Sequence, residues 1–400
     1  MTIDERISVL RKGVEEIIPE EELREKLLRS EKTGKPLRIK YGIDPTGSDV
    51  HIGHLVPIRK MRQFQDMGHI GVIIIGDFTA QIGDPTGKNE SRPALTRDQV
   101  HENAARYMEQ LYTVLDRERT EERWQSEWFD PMSMSDVLRL MGQYTLAQFM
   151  AHETFRNRWE SGQALGMHEI MYPVLQAYDS VAIQADVELG ATEQKFNLLC
   201  GRDLQRVFGQ SPQAVMMSPI LMGTDGVQKM SKSLNNYIAV FDPPKEKYGK
   251  VMSIPDAIIP NYFRYATNVS ETEITDLQRQ MGEGLNPKLV KQRLAREIVA
   301  LYHGEEAARE AEAEFDRVFR EKEIPEDIPV FTISEPTWII KILTETGSCA
   351  SGGEARRLVK QGGVKIDEVK IDSEDYLVQP DAEHIIKAGK RRFIRVIPVK

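Results

Sequence analysis

Residues 37–77, LRIKYGIDPTGSDVHIGHLVPIRKMRQFQDMGHIGVIIIGD, hold one complete supersecondary unit, and the rest of the chain is read from it. Residues 37–43 mix alternation with β-branched side chains and run into Asp44-Pro45-Thr46-Gly47, a turn signature, so they read as strand and then loop. After His51, the apolar positions Leu55, Ile58, Met61 and Phe64 recur every three residues up to Gly68, which predicts an amphipathic helix with a glycine stop. Residues 71–77 are a short apolar run bounded by glycines, the pattern of a strand buried on both faces. Strand, helix and strand in this order make a βαβ unit. Such units pack right-handed into a parallel sheet whose ligands sit beyond the carboxyl ends of the strands. His51 and His54 lie at that end, where the loop becomes a helix.

Three roles compete for these histidines. Metal ligation calls for further ligands and usually an i, i+4 spacing, whereas His51 and His54 are i, i+3 with no acidic partner at zincin spacing. A core role is disfavoured, because imidazoles in a glycine-rich turn at a helix start are expected to be exposed. Anion binding remains: a helix N-terminus presents backbone N–H groups and partial positive charge, and histidines there add donors aimed at phosphate oxygens. Gly53, with no side chain, lets a base or sugar lie against the backbone. Pro57 is expected to forfeit a backbone hydrogen bond and bend the first helical turn.

At 400 residues the chain is expected to form two or three domains. Its net charge of −9 argues against a surface that grips nucleic acid everywhere, while leaving room for local basic patches. No stretch approaches the roughly 20 apolar residues that a membrane span needs, and the acidic opening lacks the pattern of a secretory or mitochondrial leader, so a cytoplasmic, membrane-free protein is expected. Cys200 and Cys349 are far apart without the paired spacing of a zinc site, which argues against disulfide and Cys-zinc scaffolds.

Residues 181–190 and 214–222 read as later strands of the same sheet. From about residue 242 the pattern turns helical: Asn286 and Pro287 suit an N-cap and first position, Val290, Leu294, Ile298 and Leu301 form a stripe, and Gly304 follows the end. Three prolines and no periodicity in residues 322–338 suggest a linker. The remainder is compact and basic, ending in KAGKRRFIRVIPVK. The chain therefore divides into residues 1–241, a helical region 242–324, a linker 325–336 and a small module 337–400.

A second motif, GVQKMSKSLNN at 226–236, places Lys229, Met230, Ser231, Lys232 and Ser233 in a glycine-flanked loop after an expected strand. Alone it reads as a solvated basic turn. Together, HIGH at 51–54 and KMSKS at 229–233 resemble the paired signatures of class I aminoacyl-tRNA synthetases, in order and in strand-and-loop context. Within that class the chain is similar to tyrosyl-tRNA synthetases along nearly its whole length: residues 42–54 and 76–88 match the phosphate-side loops, 172–180 the amino-acid pocket helix and 190–197 a pocket loop. Residues 351–371 look like the αL-type RNA-binding module of bacterial tyrosyl enzymes. The resemblance implies an α/β chain: a Rossmann-like, doubly wound parallel-sheet catalytic domain, then a helical anticodon-binding domain and a small α+β RNA-binding domain.

The resemblance also implies roles. Asp84 would hold the α-ammonium of tyrosine with Tyr172 and Gln176, whose i, i+4 spacing puts them on one helix face. Asp179 would accept a hydrogen bond from the phenol hydroxyl, and Tyr41, Gly42, Thr79 and Gln194 would complete that pocket. Thr46 and His51 would donate to the phosphates of ATP, His54, Asp44 and Gly53 would fix the nucleotide, and Glu193 would reach a ribose hydroxyl. Lys229 and Lys232, in a loop shared with Met230, Ser231 and Ser233, would close over the leaving pyrophosphate. The attacking carboxylate is already an anion, so positioning and charge stabilisation replace a general base. Magnesium would accompany ATP without a dedicated cage, and no zinc is expected. Arg356, Arg357 and Lys360, with Lys390, Arg391, Arg392 and Arg395, would contact tRNA(Tyr), and the enzyme would be a homodimer. Two positions depart from the pattern. Lys40 stands where many relatives have a tyrosine, and strand alternation points Lys40 and Tyr41 to opposite faces; Glu193-Gln194-Lys195 stands where Asp-Gln-Trp is common. The rival readings are a tryptophanyl enzyme and a synthetase-like RNA-binding protein without catalysis, against which the intact motifs count.

Overall fold

The computed structural model describes residues 1–45, 47, 49–83, 96–320, 328–367, 369–389 and 392–398, in two compact units, Met1–Glu312 and Ala313–Lys400. The first is built on a six-stranded sheet: β1 (Glu16–Ile18), β2 (Arg38–Ile43), β3 (Ile70–Ile75), β4 (Thr120–Trp124), β5 (Val187–Ala191) and β6 (Ala214–Ser218), in the order β1-β6-β5-β2-β3-β4. All neighbours are parallel except β1, which runs antiparallel to β6 along one edge. From β2 the chain winds outward through β3 and β4, then returns to lay β5 on the other side of β2. The order reverses there, and the crevice beyond the ends of β2 and β5 is where a doubly wound sheet takes its ligand.

Alternation sets what each face of β2 meets. Ile39 and Ile43 pack with Ile58, Met61 and Phe64 of the helix Leu55–Asp66, while Lys40 turns to the opposite face, under the helix Met167–Ala182. β3 does the same, with Ile73 and Ile75 on the first face and Val72 and Ile74 on the second, against Ile183 and Ala185. At the start of this pair, buried His69 accepts the Leu37 amide on Nδ1 at 3.2 Å, and Ile70 donates to the Leu37 carbonyl. Gly68 ends the preceding helix at φ 94°, a conformation that disfavours side chains.

Three local expectations are corrected. Pro57 occupies the third position of its helix, where the backbone N–H has no intrahelical partner, so it forfeits nothing. Residues 181–182 belong to the end of the Met167–Ala182 helix, and only Val187–Ala191 form strand, because a turn through Gln184 at φ 52° separates the two. Within 322–338, Val330–Ile333 form a strand, β7: a β-branched run between Pro329 and Pro336 finds a partner that periodicity alone does not disclose.

After the sheet come the helices Pro244–Met252, Ile259–Ala266, Glu271–Gly282 and Pro287–Arg320, the last interrupted at Gly304, which takes φ 85° and ψ 165°. Asn286 caps that helix, its side chain accepting the Lys288 amide at 3.0 Å.

In the second unit, β8 (Thr337–Trp338), β9 (Val364–Ile366), β10 (Val369–Ile371), β11 (Leu377–Val378), β12 (His384–Ala388) and β13 (Arg392–Pro398) join β7. Five of these form one sheet, β10-β9-β12-β13-β7, and β8 pairs with β11. The helices Ile339–Glu345 and Gly352–Lys360 bury Ile339, Ile342, Leu343, Ala355 and Val359 against Ile366, Ile386, Ile394 and Val396. Among the described residues no helix is long and apolar enough to cross a membrane.

Candidate active site

A cleft of about 400 Å³ opens at the switch point. Its walls come from the ends of β2 (Tyr41, Gly42, Asp44) and β5 (Gly190, Glu193, Gln194), the turn at 51–54, the helix Met167–Ala182 (Tyr172, Gln176, Asp179) and the loop at 219–231. Sequence positions more than a hundred residues apart thus face one space, since every parallel strand delivers its carboxyl end to the same edge.

The first signature is joined by backbone to the segment that follows the second. Ile52 donates to the Ile238 carbonyl at 3.0 Å and Val240 to the Val50 carbonyl at 2.9 Å, a short antiparallel ladder with His51 opposite Ala239. Lys247, buried in the helix Pro244–Met252, braces it by donating to the Val240 carbonyl at 2.7 Å. Upstream, Asn236 pins the lysine loop: its side chain accepts the Ser231 amide at 2.8 Å and donates to the Lys229 carbonyl and to Asp225, while Asp225 accepts the Val227 and Gln228 amides. These hydrogen bonds hold the Asp225 carboxyl below its usual range. Met230 is buried, and a side chain at Gly53 would meet its Cβ at 3.6 Å and the His51 ring at 3.0 Å.

His51 is buried rather than exposed as its turn position suggests, because the ladder and the lysine loop cover the helix start. Its ring stacks on His54 with centroids 3.6 Å apart. Burial, with His54 and Lys232 nearby, depresses His51 to about 2, and burial with Lys232 depresses His54 to about 4. Both are neutral at pH 7, so they offer N–H dipoles rather than full charges. The full charges come from the lysines. Lys229 reaches Glu193 at 3.2 Å across the cleft, and Lys232 lies 4.0 Å from Asp49 on the first loop.

At the buried end, Asp179 is 2% exposed and accepts from Gln125 Nε2 at 2.9 Å and Trp128 Nε1 at 3.1 Å. Burial lifts its carboxyl to about 7, against the pull of Lys40 and these donors. Gln125 Oε1 also accepts from the Thr79 amide at 3.0 Å. Thr79 in turn donates to Asp44 at 2.6 Å, and Tyr172 donates to the other oxygen of Asp44 at 2.8 Å. Asp44 is therefore bound to both the β3 loop and the pocket helix. Tyr41 lines the cleft, its hydroxyl pushed up to about 12 by burial and by Glu193.

Lys40 does not line the cleft. Its ammonium, completely buried, meets Glu188 at 2.8 Å and donates to Ser180 Oγ at 2.7 Å and the Gln176 carbonyl at 2.8 Å. Gln176 Nε2 donates to Glu188 at 3.3 Å, so one residue serves both this network and the cleft wall. Removing one partner of such a pair costs about 3–5 kcal/mol, since the other charge stays buried.

Of the candidate residues, Tyr41, Gly42, Asp44, His51, Gly53, His54, Thr79, Tyr172, Gln176, Asp179, Glu193, Gln194, Lys229, Met230 and Ser231 line this cleft, and Lys232 and Ser233 follow in the same loop. Thr46, Asp84, Lys390 and Arg391 lie outside the described residues. In the second unit Arg356, Arg357 and Lys360 are exposed on one helix, Arg356 lies 5.4 Å from the Trp338 ring centre, and Lys360 meets Glu374 at 3.1 Å. Arg392 donates to the Ser348 carbonyl and lies 3.5 Å from Glu354. Sequence reasoning missed Gln125, Trp128, Asp225 and Asn236. Gln125 carried a usable signal, as the first residue past a parallel strand; the others carried none.

Residues 32–320 match the family of class I tRNA synthetases for tryptophan and tyrosine (W and Y), and residues 337–384 match the S4 domain. A tyrosine–tRNA ligase of Thermotoga maritima is 49% identical over 99% of this chain and 98% of its own, and one of Symbiobacterium thermophilum is 50% identical over the same shares. The crystal structure of an Archaeoglobus fulgidus tyrosyl-tRNA synthetase complexed with L-tyrosine superposes with a TM-score of 0.61 at 24% identity, covering 78% of this chain and all of that one.

Proposed function

Because this chain belongs to the class I tRNA synthetases for tryptophan and tyrosine, and to the tyrosine–tRNA ligases among them, we propose that its cleft joins L-tyrosine to ATP, releasing pyrophosphate, and then passes the tyrosyl group to the 3′ end of tRNA(Tyr). The observation that supports this most is the polarity of the cleft. Neutral histidines and two lysines stand at its exposed side, and a buried carboxylate with two fixed N–H donors stands at its closed end.

Adenylate formation needs the tyrosine carboxylate held in line with the α-phosphate and the growing charge on pyrophosphate neutralised. Lys229 and Lys232 supply that charge by exchanging Glu193 and Asp49 for phosphate oxygens as the loop closes. His51 and His54 donate N–H groups, Thr46 keeps the phosphate-binding role that the resemblance implies, and Gly53 leaves room for the nucleotide. Asp179 accepts a hydrogen bond from the phenol hydroxyl, Tyr172 and Gln176 bind the amino group, and Asp84 keeps the ammonium-binding role that the resemblance implies. A phenylalanine would leave Asp179 with a buried lone pair unmet, which sets the discrimination. Magnesium arrives with ATP; among the described residues no three acidic, imidazole or thiol groups gather around a point.

The helical region 242–324 and the S4 module then carry the tRNA, with Arg356, Arg357, Lys360 and Arg392 on the RNA side, in a cytoplasmic homodimer. Pyrophosphate exchange into ATP with tyrosine, tryptophan and phenylalanine side by side tests the reading. Exchange with tyrosine alone is expected; exchange with tryptophan refutes the role of Asp179.

A further inference from the structure

We propose that Lys40, paired with Glu188, is a positioning residue for tyrosine recognition: from behind the pocket it favours the carboxylate form of Asp179 and fixes the helical turn that carries Gln176 and Asp179. The proposal rests on the reading of Asp179 as hydrogen-bond acceptor from the phenol hydroxyl. Lys40 occupies the strand position where many relatives have a tyrosine, and its ammonium is spent on Glu188, Ser180 and the Gln176 carbonyl. Those last two residues bracket Asp179 in sequence, one on either side of its turn. The site is built for this: Gly201 lies so close that a side chain there would come within 3.2 Å of Glu188, 3.0 Å of Ser180 and 2.7 Å of Gln213, which also donates to Glu188.

The groups facing Asp179 are few. Lys40 comes from β2, Glu188 from β5, and Gln125 and Trp128 from the segment after β4; the two last are neutral donors. Lys40 and the donors favour the carboxylate, while burial and Glu188 favour the acid. In an interior where charges are weakly screened, the lysine is the one full positive charge in that set. An ionised Asp179 has only lone pairs to offer, so with two already engaged it meets a phenol O–H as a charge-assisted acceptor. A protonated Asp179 loses that strength. Lys40 therefore acts on tyrosine through Asp179 and touches no substrate.

The test is tyrosine-dependent pyrophosphate exchange by the full chain from about pH 6 to about pH 9, where limbs report ionisations of the free enzyme. Lys40→Met is expected to raise the KM for tyrosine about tenfold near neutrality, the scale of weakening a charged hydrogen bond, with the KM for ATP unchanged. Its acid limb is expected to move to higher pH. Glu188→Gln is expected to move the limb the other way. Because either single variant leaves a buried charge and can fail to fold, Lys40→Met/Glu188→Met supplies an apolar pair instead. Its limb is expected above that of the parent, since the lysine acts on Asp179 more strongly than the glutamate. Limbs that stay at the parent's pH in all three variants, with activity merely lowered, overturn the proposal and leave Lys40 a structural residue. Asp179→Asn separates the two readings. If it spares the tyrosine KM, the phenol contact itself is wrong and this inference falls with it; if it raises that KM while the Lys40 limb is unmoved, only the inference falls.

Discussion

Replacing His69 by asparagine is expected to make the protein less sensitive to acid. The His69 ring is 4% exposed and accepts the Leu37 amide on Nδ1, and burial depresses its pKa to about 4. An unfolded histidine titrates near 6.5, so the folded state binds fewer protons between those values. This contribution is full above about pH 6.5 and is lost as pH falls toward 4. At pH 5 the gap from the unfolded value is about 1.5 units, and at 1.36 kcal/mol per unit the loss is about 2 kcal/mol. Asparagine presents its Oδ1 where Nδ1 was, which keeps an acceptor for Leu37 and removes the titration. His51 and His54 are depressed in the same direction but are common to both proteins, so they cancel in the comparison. Urea unfolding of the Met1–Glu312 unit, followed by tryptophan fluorescence at pH 7 and pH 5, measures the difference. The variant starts lower at pH 7 through lost packing on Phe64, and then falls about 2 kcal/mol less than the parent. Equal losses in the two proteins would refute the assignment of His69 as a buried neutral clasp.

Gln125→Met removes a donor to Asp179 and the acceptor for the Thr79 amide, so the KM for tyrosine should rise about tenfold and urea stability should fall by about 1–3 kcal/mol, with ATP binding spared. An unchanged tyrosine KM in steady-state exchange would exclude Gln125 from the pocket. Asn236→Leu frees the lysine loop from Ser231, Lys229 and Asp225; stopped-flow adenylate formation should slow by about 10- to 100-fold while equilibrium tyrosine binding holds. A variant that forms adenylate at the parent's rate would show that the loop needs no such pin.

The sheet could be read from residues 37–77 because both of its periodicities are local: every two residues along β2 and every three or four along the helix. The place of the cleft followed from topology alone. Other features were hidden because they depend on partners far along the chain. Lys40 reads as a departure from its relatives until Glu188 is set beside it, and nothing near residue 40 announces that carboxylate. His51 reads as exposed until residues 238–240 cover it. The strand at 330–333 is too short for its pattern to compete with the flanking prolines. Gln125 was the nearest miss, since the rule that placed the cleft also nominates the residue after each parallel strand.

The ladder between residues 50–52 and 238–240 also says when this enzyme can first exist. As the chain leaves the ribosome, the histidine turn emerges long before the strand segment that covers it, and the closing of so large a loop must wait for contacts that reward it late. A nascent chain stopped short of residue 238 holds every residue of the first signature and none of the ladder that covers it. The turn at 51–54 thus gains its cover only after more than half of the chain has been made, and a truncation ahead of that point removes the cover whole rather than in proportion.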